Sequence, residues 1–436
     1  MGAAAPGDWF SPAALGMMPI RMHKTWWVAN VRKPLYFAAI PVWSGRRVLF
    51  QRARRTPWVA IDAGILLTDM ADIARWLMDQ FSGAETEILL ENYIFEGGIW
   101  PGQVIDILVA KARAGVRVHV TLDAIGSHGF PPAWISRLRA AGAHVHWYHR
   151  LRFIGMEHRL RRTHRRIIVV DGQWGAVGGF AFADAWLGAG MSNPPYRDAL
   201  FACRGPIAQH LRLAFARHHP GFSAFARPLP DSGAIGPGPG PGMDWGKGRL
   251  LEGLASQRRG VRRRFLAILR AARRELWIAT PYFNPDPVVR HALQRAARRG
   301  VDVRLLLAGR ITDHPLLRFG IQAYYQPLMQ AGVRIYEYQG AFLHGKYALA
   351  DGYWGTVGSA NLDFLSLWFN HELNIELRSP LAALLLRSLF VREFAHAQEL
   401  AVGHWQRRPR WRRALEWLLS VLDRWVQSRA LGRRKY

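Results

Sequence analysis

Two hydrophobic patterns alternate along the middle of the chain, one at helical spacing and one in short continuous runs. Apolar residues at helical spacing predict an amphipathic helix over Ala71–Phe81, and the apolar run Glu87–Phe95 predicts a buried strand. A helix over Pro101–Ala114, ended by Gly115, and a strand over Val116–Asp123 follow. This alternation is typical of βαβ units, so we expect an α/β fold in which helices cover both faces of the sheet.

The pattern of the first half returns in the second half at a fixed register. The segment HRRIIVVDGQWGAVGG, which begins at His164, is matched by HGKYALADGYWGTVGS, which begins at His344. Asp171 and Asp351 hold the same positions in the two segments, so both pairs are separated by 180 residues. Two unrelated strands would not keep this register through their polar residues. The chain therefore contains an internal duplication.

The duplication and the changes in composition predict five parts. Two related halves, 59–222 and 249–400, are joined by a Pro- and Gly-rich linker, 223–248. A basic and aromatic arm, 1–58, precedes them, and a basic amphipathic helix, 401–436, follows. Because the arm interleaves aromatic residues with arginines and lysines, it suits a membrane interface and packing against the core equally well.

The helix predicted in the last part has one apolar and one polar face. Such a helix either docks on the core or lies at an anionic membrane surface, and both interpretations are open. The apolar face holds Trp411, Leu415, Leu418, Leu422 and Trp425, and the opposite face holds Arg412, Arg413, Glu416 and Asp423.

The composition adds a strong positive charge to this picture. The chain of 436 residues carries a formal net charge of +28, with an isoelectric point near 11.3, and 50% of its residues are apolar. A folded core with this charge predicts an anionic partner, which could be nucleic acid, an anionic membrane or a phosphorylated substrate. Cys203 is the single cysteine, so intrachain disulfides are excluded and a reducing compartment is expected. The longest apolar runs are too short to span a bilayer.

The stretch Phe342–Glu372 carries the densest chemistry. His344 and Lys346 lie two apart on an extended segment, so their side chains project to the same side. Ser359 and Asn361 can add small hydrogen-bond donors. Donors that converge in this way suit a phosphoryl group, and the imidazole suits nucleophilic or proton-transfer work.

The spacing in this stretch resembles that of the phospholipase D superfamily. His344, Lys346 and Asp351 follow the pattern H-x-K-x4-D, and G-S-x-N begins seven residues after the aspartate. The phrases ENYIFEGG, TPYFNPDP and NHELNIEL are similar to the cardiolipin synthase branch, in particular to forms without N-terminal membrane spans. The resemblance extends over roughly Ile61–Leu400. It implies an internally duplicated phospholipase D-like fold of two βα sheet halves, with the active site at their interface.

The resemblance also implies roles for the paired residues. His164 would be the nucleophile that forms a phosphohistidine, and His344 would protonate the leaving alcohol and later deprotonate the acceptor. Glu372 lies 28 residues after His344, where the family keeps an acid that orients the histidine, and Asp198 is the matching candidate for His164. No metal or cofactor is expected, because basic residues supply the positive charge.

Further candidates come from the same two motifs. Lys346, Arg166, Asp171 and Asp351 complete the candidate catalytic residues, although the two aspartates are better suited to anchoring the turn after each motif. The candidates for binding the substrate phosphate are Gly179, Ser359 and Asn361.

The first motif departs from the family pattern at two positions. Arg166 replaces lysine, and Ala181 stands where asparagine is expected. Arginine and lysine are not interchangeable at a phosphate site, and a lost oxyanion donor costs roughly 10²–10³-fold in rate. We therefore expect the first half-site to be the weaker one, with its nucleophile retained.

The resemblance implies a phosphatidyl transferase that moves a phosphatidyl group between a phospholipid and an alcohol acceptor, as a peripheral enzyme on the cytoplasmic side of the cell membrane. The expected partners are an anionic, phosphatidylglycerol-like phospholipid and the membrane surface, without nucleic acid, and the oligomeric state is not predicted. Two alternatives are kept. One is a phosphodiesterase or nuclease, which the charge would also suit, and the other is a non-catalytic phosphate- or lipid-binding protein, suggested by Arg166 and Ala181.

Overall fold

The computed structural model describes residues 56–148, 161–188, 194–219, 243–253 and 260–431. Almost all of the predicted arm and most of the predicted linker lie outside these ranges. The expectations for the arm and the linker are therefore left as they stand.

The first half forms a seven-stranded mixed sheet. After a short strand β1 (Val59–Ala60), its strands are β2 (Ala63–Leu67), β3 (Glu87–Asn92), β4 (Arg117–Asp123), β5 (His144–Tyr148), β6 (Ile167–Val170), β7 (Trp174–Gly178) and β8 (Leu200–Arg204). Their order across the sheet is β2-β8-β7-β6-β3-β4-β5, with β3 parallel to β4 and antiparallel to β6. Helices α1 (Met70–Gly83), α2 (Ile99–Arg113) and α3 (Pro132–Ala140) cover one face, and α4 (Pro206–Ala216) covers the other.

The second half forms a nine-stranded sheet and a separate pair of short strands. Its strands are β9 (Lys247–Gly253), β10 (Glu275–Thr280), β11 (Phe283–Asn284), β12 (Asp302–Ala308), β13 (Arg334–Tyr338), β14 (Tyr347–Ala350), β15 (Trp354–Gly358), β16 (Leu362–Asp363), β17 (Glu372–Arg378) and β18 (Ala397–Glu399). The large sheet has the order β1-β9-β17-β15-β14-β10-β12-β13-β18, and β11 pairs with β16. The helices are α5 (Gly260–Ala271), α6 (Pro287–Arg298), α7 (Pro315–Gln322), α8 (Tyr325–Gln330), α9 (Phe364–Trp368), α10 (Pro380–Ala395), α11 (Val402–Gln406) and α12 (Arg410–Leu431).

The two sheets repeat one topology, as the duplicated sequence predicts. In the first sheet β3 lies between parallel β4 and antiparallel β6, and in the second sheet β10 lies between parallel β12 and antiparallel β14. The β6–β7 hairpin of the first half corresponds to the β14–β15 hairpin of the second. The prediction of an internally duplicated α/β fold with helices on both faces of the sheets is confirmed.

The largest apolar core lies where the two halves meet. It joins strand residues of the first sheet, such as Val169 and Phe201, to strand residues of the second, such as Leu349 and Ile375, together with α4 and α10. The central strands β6 and β14 are buried along their whole length, which explains why both read as continuous apolar runs in the sequence. This shared core fixes the two halves against each other.

The strand pairing also crosses the predicted boundaries between parts. Strand β1 stands at the start of the predicted first half, yet Val59 pairs with Gly248 of β9 in the second sheet. Strand β9 in turn begins inside the predicted linker. We keep the five-part division as a proposal in which the edges of the two halves interlock.

The C-terminal helix α12 packs on the second half with its polar side. Glu416, Ser420 and Gln427 are buried, whereas the tryptophans and leucines of the opposite side are exposed to solvent. The helix thus docks on the core, but through the face that a surface helix usually presents to water. Within the described residues, no helix is both long enough and apolar enough to cross a membrane.

Candidate active site

The two histidine motifs lie at the interface of the halves, and each is held by backbone bonds from the other half. Thr163 forms a parallel β-bridge with His371, and the amide of His164 donates to the carbonyl of His371 at 2.9 Å. Arg197 forms the matching bridge with Leu343, and the amide of His344 donates to the carbonyl of Arg197 at 2.7 Å. Each histidine therefore stands just before its central strand, β6 or β14, and faces the junction.

The orienting acids are exchanged between the halves. His164 Nδ1 lies 3.0 Å from each carboxylate oxygen of Glu372, which belongs to the second half. His344 Nδ1 lies 2.7 Å from Oδ2 of Asp198, which belongs to the first half. The expectation that each acid serves the histidine of its own half was wrong. The β-bridges at 163 and 197 explain the exchange, because they place the residues just before each acid beside the partner histidine.

Two buried cations stand next to the histidines. Arg166 Nη1 lies 3.3 Å from Nε2 of His164 and donates to its carbonyl oxygen at 3.2 Å. Lys346 Nζ lies 2.9 Å from both ring nitrogens of His344 and donates to its carbonyl oxygen at 2.6 Å. The substituted arginine of the first half thus occupies the same place against its histidine as the lysine does in the second.

Arg166 keeps donors free for a ligand. Its side chain is fully buried, and within the described part of the chain its Nε and Nη2 have no hydrogen-bond partner. Buried cationic donors without partners are costly unless a ligand or water satisfies them. Their presence beside His164 is the arrangement that a bound phosphodiester would complete.

Burial and neighbouring charge shift the pKa values of these groups. Burial, with the charge of Lys346, lowers the pKa of His344 to about 4, although Asp198 opposes the change. Burial also lowers the pKa of His164, and here Glu372 opposes it. The pKa of Lys346 falls to about 7, mainly through burial. Both imidazoles are therefore neutral near pH 7.

The two half-sites act on each other electrostatically. Arg166 of the first half contributes to the lowered pKa of His344, and Lys346 of the second contributes to that of His164. The pKa of Asp198 is lowered: burial opposes this change, but the interaction and hydrogen bond with His344 and the charge of Lys346 outweigh the effect of burial. The residues form one constellation and not two separate sites.

Two of the candidate phosphate-binding residues lie against the orienting acids. The Ser359 hydroxyl donates to Glu372 Oε2 at 2.5 Å and accepts from the amide of Leu373 at 3.0 Å. At Gly179, a Cβ atom would lie 2.4 Å from Oδ1 of Asp198, so only glycine leaves room for that carboxylate. Ser359 therefore helps to position Glu372, and Gly179 helps to position Asp198, and each of these acids orients the histidine of the other half.

The asparagine position differs between the halves as the sequence indicated. Asn361 is buried, and its Oδ1 has no partner within the described residues. Its counterpart Ala181 is fully buried in an apolar cluster with Phe180 and Phe182. The first half thus replaces a polar group with packing, and Asn361 remains a candidate ligand for substrate.

The two motif aspartates lie at the far end of the strands from the histidines. The Asp171 carboxylate accepts hydrogen bonds from the amides of Glu85, Thr86 and Glu87 at 2.7 to 3.0 Å. Asp351 makes the equivalent contacts with the amides of residues 273–275. As candidate catalytic residues they are not brought to the site, and their contacts match the turn-anchoring role.

Two aromatic residues near the histidines were missed by the sequence reasoning. The ring of Tyr93 packs edge-on against His164 with a centroid distance of 4.9 Å, and Trp186 packs edge-on against His344 at 5.2 Å. Trp186 Nε1 also donates to Asp198 at 3.3 Å. Tyr93 lies within ENYIFEGG, so the signal for it was present, whereas nothing in the sequence marks Trp186.

A metal site is not formed around this constellation. Among the residues that the structure describes, no group of three or more histidine, cysteine, aspartate or glutamate side chains is placed to hold a metal ion. The expectation that catalysis needs neither metal nor cofactor stays a prediction.

The duplicated fold and the paired histidine motifs define a phospholipase D-like protein. A family model described as "Cardiolipin synthase, PLD-like domain" matches residues 77–188 and 265–394. The chain is 32% identical to a cardiolipin synthase of Geobacillus kaustophilus over 383 residues. This aligned region covers 86% of this chain and 75% of the relative. It is 31% identical to cardiolipin synthase 2 of Bacillus cereus, over 82% of this chain and 69% of that one. The chain belongs to the cardiolipin synthase family.

The solved structures agree with this fold. The crystal structure of phosphatidylserine synthase from Haemophilus influenzae superposes with a TM-score of 0.66 over 86% of this chain and 96% of that chain, at 13% identity. The expected fold, the expected family and the expectation of an enzyme of the phosphatidyltransferase type are confirmed. The family implies a phospholipid substrate.

Proposed function

We propose that the enzyme transfers a phosphatidyl group from one phospholipid to an alcohol acceptor through a phosphohistidine on His164. The observation that supports this most directly is the pair of imidazoles, each held at Nδ1 by a carboxylate of the opposite half. A carboxylate at Nδ1 favours the tautomer in which Nε2 carries a lone pair. Both histidines are thus prepared to react through Nε2.

The proposed reaction has two steps that use the histidines in turn. His164 Nε2 attacks phosphorus and forms a P–N bond while the bond between phosphorus and the leaving alcohol oxygen breaks. His344 gives its proton to that oxygen. In the second step His344 takes the proton of the acceptor alcohol, whose oxygen attacks phosphorus as the P–N bond breaks.

Substrate binding would set the protonation states that these steps need. His344 has a pKa of about 4, which is too low for a general acid near neutral pH. A bound phosphodiester brings a negative charge next to it and favours the protonated imidazole. The same charge would favour the ammonium of Lys346, whose pKa is about 7 without substrate.

The phosphoryl oxygens would be held by the two buried cations. The unpartnered Nε and Nη2 of Arg166 offer two donors in a fixed plane. Lys346 offers a point charge on the other side of the junction. These donors would stabilise the charge that develops on the phosphoryl oxygens in the transition state.

The proposed substrate is an anionic, phosphatidylglycerol-like phospholipid, and the proposed place of action is the cytoplasmic face of the cell membrane. The net charge of +28 supports attraction to such a surface. The curated relatives are named cardiolipin synthases, which fits an acceptor that is itself a phospholipid alcohol.

The test compares wild type with His164→Ala and His344→Ala on two substrates, phosphatidylglycerol vesicles and labelled DNA. We expect lipid product from wild type and a loss of at least about 10³-fold in both variants, because each removes an essential step. A radiolabelled headgroup phosphate should become attached to wild-type protein but not to His164→Ala. DNA cleavage without lipid turnover would overturn the proposal.

A further inference from the structure

The outward side of helix α12 is an unusually apolar surface. Large hydrophobic side chains there are between 36% and 67% exposed, and they run along one stripe of the helix with a further tryptophan beside it. Surface helices of soluble proteins bury such a stripe, and exposed patches of this kind mark interaction sites. The exposed residues are Trp411, Leu415, Trp417, Leu418, Leu422 and Trp425.

Hydrogen bonds on the inner side hold the helix in this orientation. Glu416 is ion-paired with Arg408, with atoms 2.5 and 2.9 Å apart. Asp423 accepts from Asn284 Nδ2 at 2.9 Å and from the Tyr324 hydroxyl at 3.2 Å. Turning the apolar stripe inward would break these partly buried polar contacts and leave Glu416 and Asp423 without their partners. The exposure of the stripe is therefore a fixed feature of the fold.

The charged residues of α12 are also divided between its two sides, with the acidic residues inward and exposed arginines outward or at the flanks. Both of its acidic residues, Glu416 and Asp423, point inward and are paired. The exposed arginines Arg413, Arg424 and Arg429 remain on the outside or at the flanks. A cavity of about 380 Å³ beside the helix is lined in part by Arg413 and Arg424. The stripe is thus flanked by positive charge without exposed acid on the helix.

We propose that this stripe, Trp411–Trp425, docks on an anionic phospholipid bilayer. Tryptophan and leucine insert at the boundary between headgroups and acyl chains, and flanking arginines bind anionic headgroups. A second copy of the chain would bring the same arginines against one another, so charge complementarity favours the bilayer. The inference deepens the proposed function, on which it rests for the location of the substrate.

The helix is also linked to the catalytic junction. Asn284, which bonds Asp423, lies on β11 next to β16, and β16 begins directly after Asn361. Tyr282, just before β11, packs against Phe342 beside the His344 motif. Docking through α12 would therefore hold the junction at a fixed position relative to the lipid surface.

The experiment uses the full chain and a matched pair of double variants. Leu418→Gln with Leu422→Gln changes two leucines that are 57% and 55% exposed on α12. Leu384→Gln with Val391→Gln changes two residues that are 58% and 57% exposed on α10. Glutamine keeps helix propensity, and circular dichroism with thermal melting checks that all variants fold. Each protein is sedimented with vesicles of phosphatidylglycerol and phosphatidylcholine, and with vesicles of phosphatidylcholine alone.

We expect the α12 variant to lose about tenfold or more of its partition onto the anionic vesicles, whereas the α10 variant binds as wild type does. Wild type should bind the anionic vesicles more strongly than the zwitterionic ones. Equal binding by the two double variants would overturn the proposal. So would unchanged vesicle binding combined with a change from dimer to monomer in light scattering, which would assign the stripe to a subunit contact.

A separate control distinguishes this inference from the proposed function. His344→Ala should lose lipid turnover and still sediment with anionic vesicles as wild type does. If wild type sediments through α12 but shows no phosphatidyl transfer, the proposed function fails and the docking surface stands.

Discussion

In each imidazole of the site, Nδ1 is hydrogen-bonded to a carboxylate, and Nε2 is the nitrogen that we propose to react. For His164 the carboxylate is Glu372, which is itself held by Ser359. For His344 it is Asp198, which also accepts from Trp186 and from the amide of Ala199. These further interactions fix the position of each acid, so the tautomer of the histidine also depends on residues beyond the histidine–acid pair.

Replacing Glu372 with glutamine tests this dependence. Glutamine keeps the shape but lacks the charge that stabilises the imidazole as it reacts, and its amide permits the wrong tautomer. We expect kcat to fall by about 10²–10⁴-fold. In single-turnover experiments the formation of labelled protein should slow by the same factor. Ser359→Ala is the matched control. It keeps the Glu372 carboxylate and removes the hydroxyl that bonds this carboxylate and the Leu373 amide, so it should cost less than Glu372→Gln. A Glu372→Gln enzyme with wild-type kcat would contradict the exchanged pairing as a catalytic arrangement.

The lowered pKa of Lys346 predicts that kcat/KM, which reports on the free enzyme, depends on pH. Its pKa is about 7, so the cation is lost as the pH rises through that value, and phosphate binding weakens. We expect kcat/KM to fall above about pH 7. In Lys346→Arg the guanidinium stays charged, and the alkaline fall should move to higher pH. Measured profiles that are the same in both proteins would assign the alkaline limb to another group.

At the scale of the structural elements, the turns after β6 and β14 depend on aspartate. Asp171 and Asp351 adopt positive φ angles of 52° and 53°. Apart from glycine, asparagine and aspartate, few residue types adopt such angles. Each carboxylate binds the backbone amides that lead into the neighbouring strand, β3 or β10. The turn and the strand entry are thereby fixed together.

The Asp171→Ala variant should therefore be less stable and still active. Alanine removes the bonds to three backbone amides and keeps a strained φ angle, which we expect to cost about 2 to 4 kcal/mol in the free energy of unfolding. Urea denaturation measures the loss. The kcat of the folded enzyme should stay within about threefold of wild type, because the carboxylate lies at the other end of the strand from His164. A large loss of kcat at full folding would restore Asp171 as a catalytic candidate.

Periodicity predicted the elements well but not which face of a helix is buried. The apolar spacing of Ala71–Phe81 led directly to α1, because its apolar stripe is the buried one. The same rule applied to α12 gives the helix but leaves its orientation open, and the structure shows Glu416 and Asp423 bound inward. An amphipathic pattern distinguishes two faces of a helix, and partners from distant segments decide which of them is covered.

The sequence was enough to predict which histidines and acids belong to the site, but not which acid contacts which histidine. The register between His164 and His344 follows from the duplication, which the sequence shows openly. The assignment of acids does not, because it depends on the β-bridges at Thr163 and Arg197, which connect segments far apart in the chain. Short-range spacing favours a partner in the same half, and the contact between halves overrides it.

At the scale of the whole molecule, buried neutral histidines predict sensitivity to acid. Burial is the main cause that lowers the pKa of His119 to about 3, of His219 to about 4 and of His344 to about 4, from an ordinary value of 6.5. At pH values between these lowered pKa values and the ordinary value of 6.5, the unfolded chain therefore binds more protons than the folded chain. Stability is fully present above about pH 6.5 and is lost as the pH falls toward 4.

We expect the melting temperature to drop steadily from pH 6.5 to 4.5, as measured by differential scanning calorimetry. His119 and His219 are hydrogen-bonded at 3.2 Å, so they titrate as a neighbouring pair within the first half. In His119→Phe the slope of melting temperature against pH should be shallower than in wild type, whatever the starting stability. A melting temperature that does not change over this range would show that these groups do not control acid unfolding.

The exchange of acids also has a consequence for how such a chain can evolve. The reactive units are His164 with Glu372 and His344 with Asp198, and their members lie 208 and 146 positions apart. The acid that orients each histidine therefore belongs to the other repeat, although the neighbouring cation belongs to the histidine's own repeat. Correlated substitutions at the histidine and acid positions should therefore connect the two copies across the linker, because neither copy alone contains a complete histidine–acid pair.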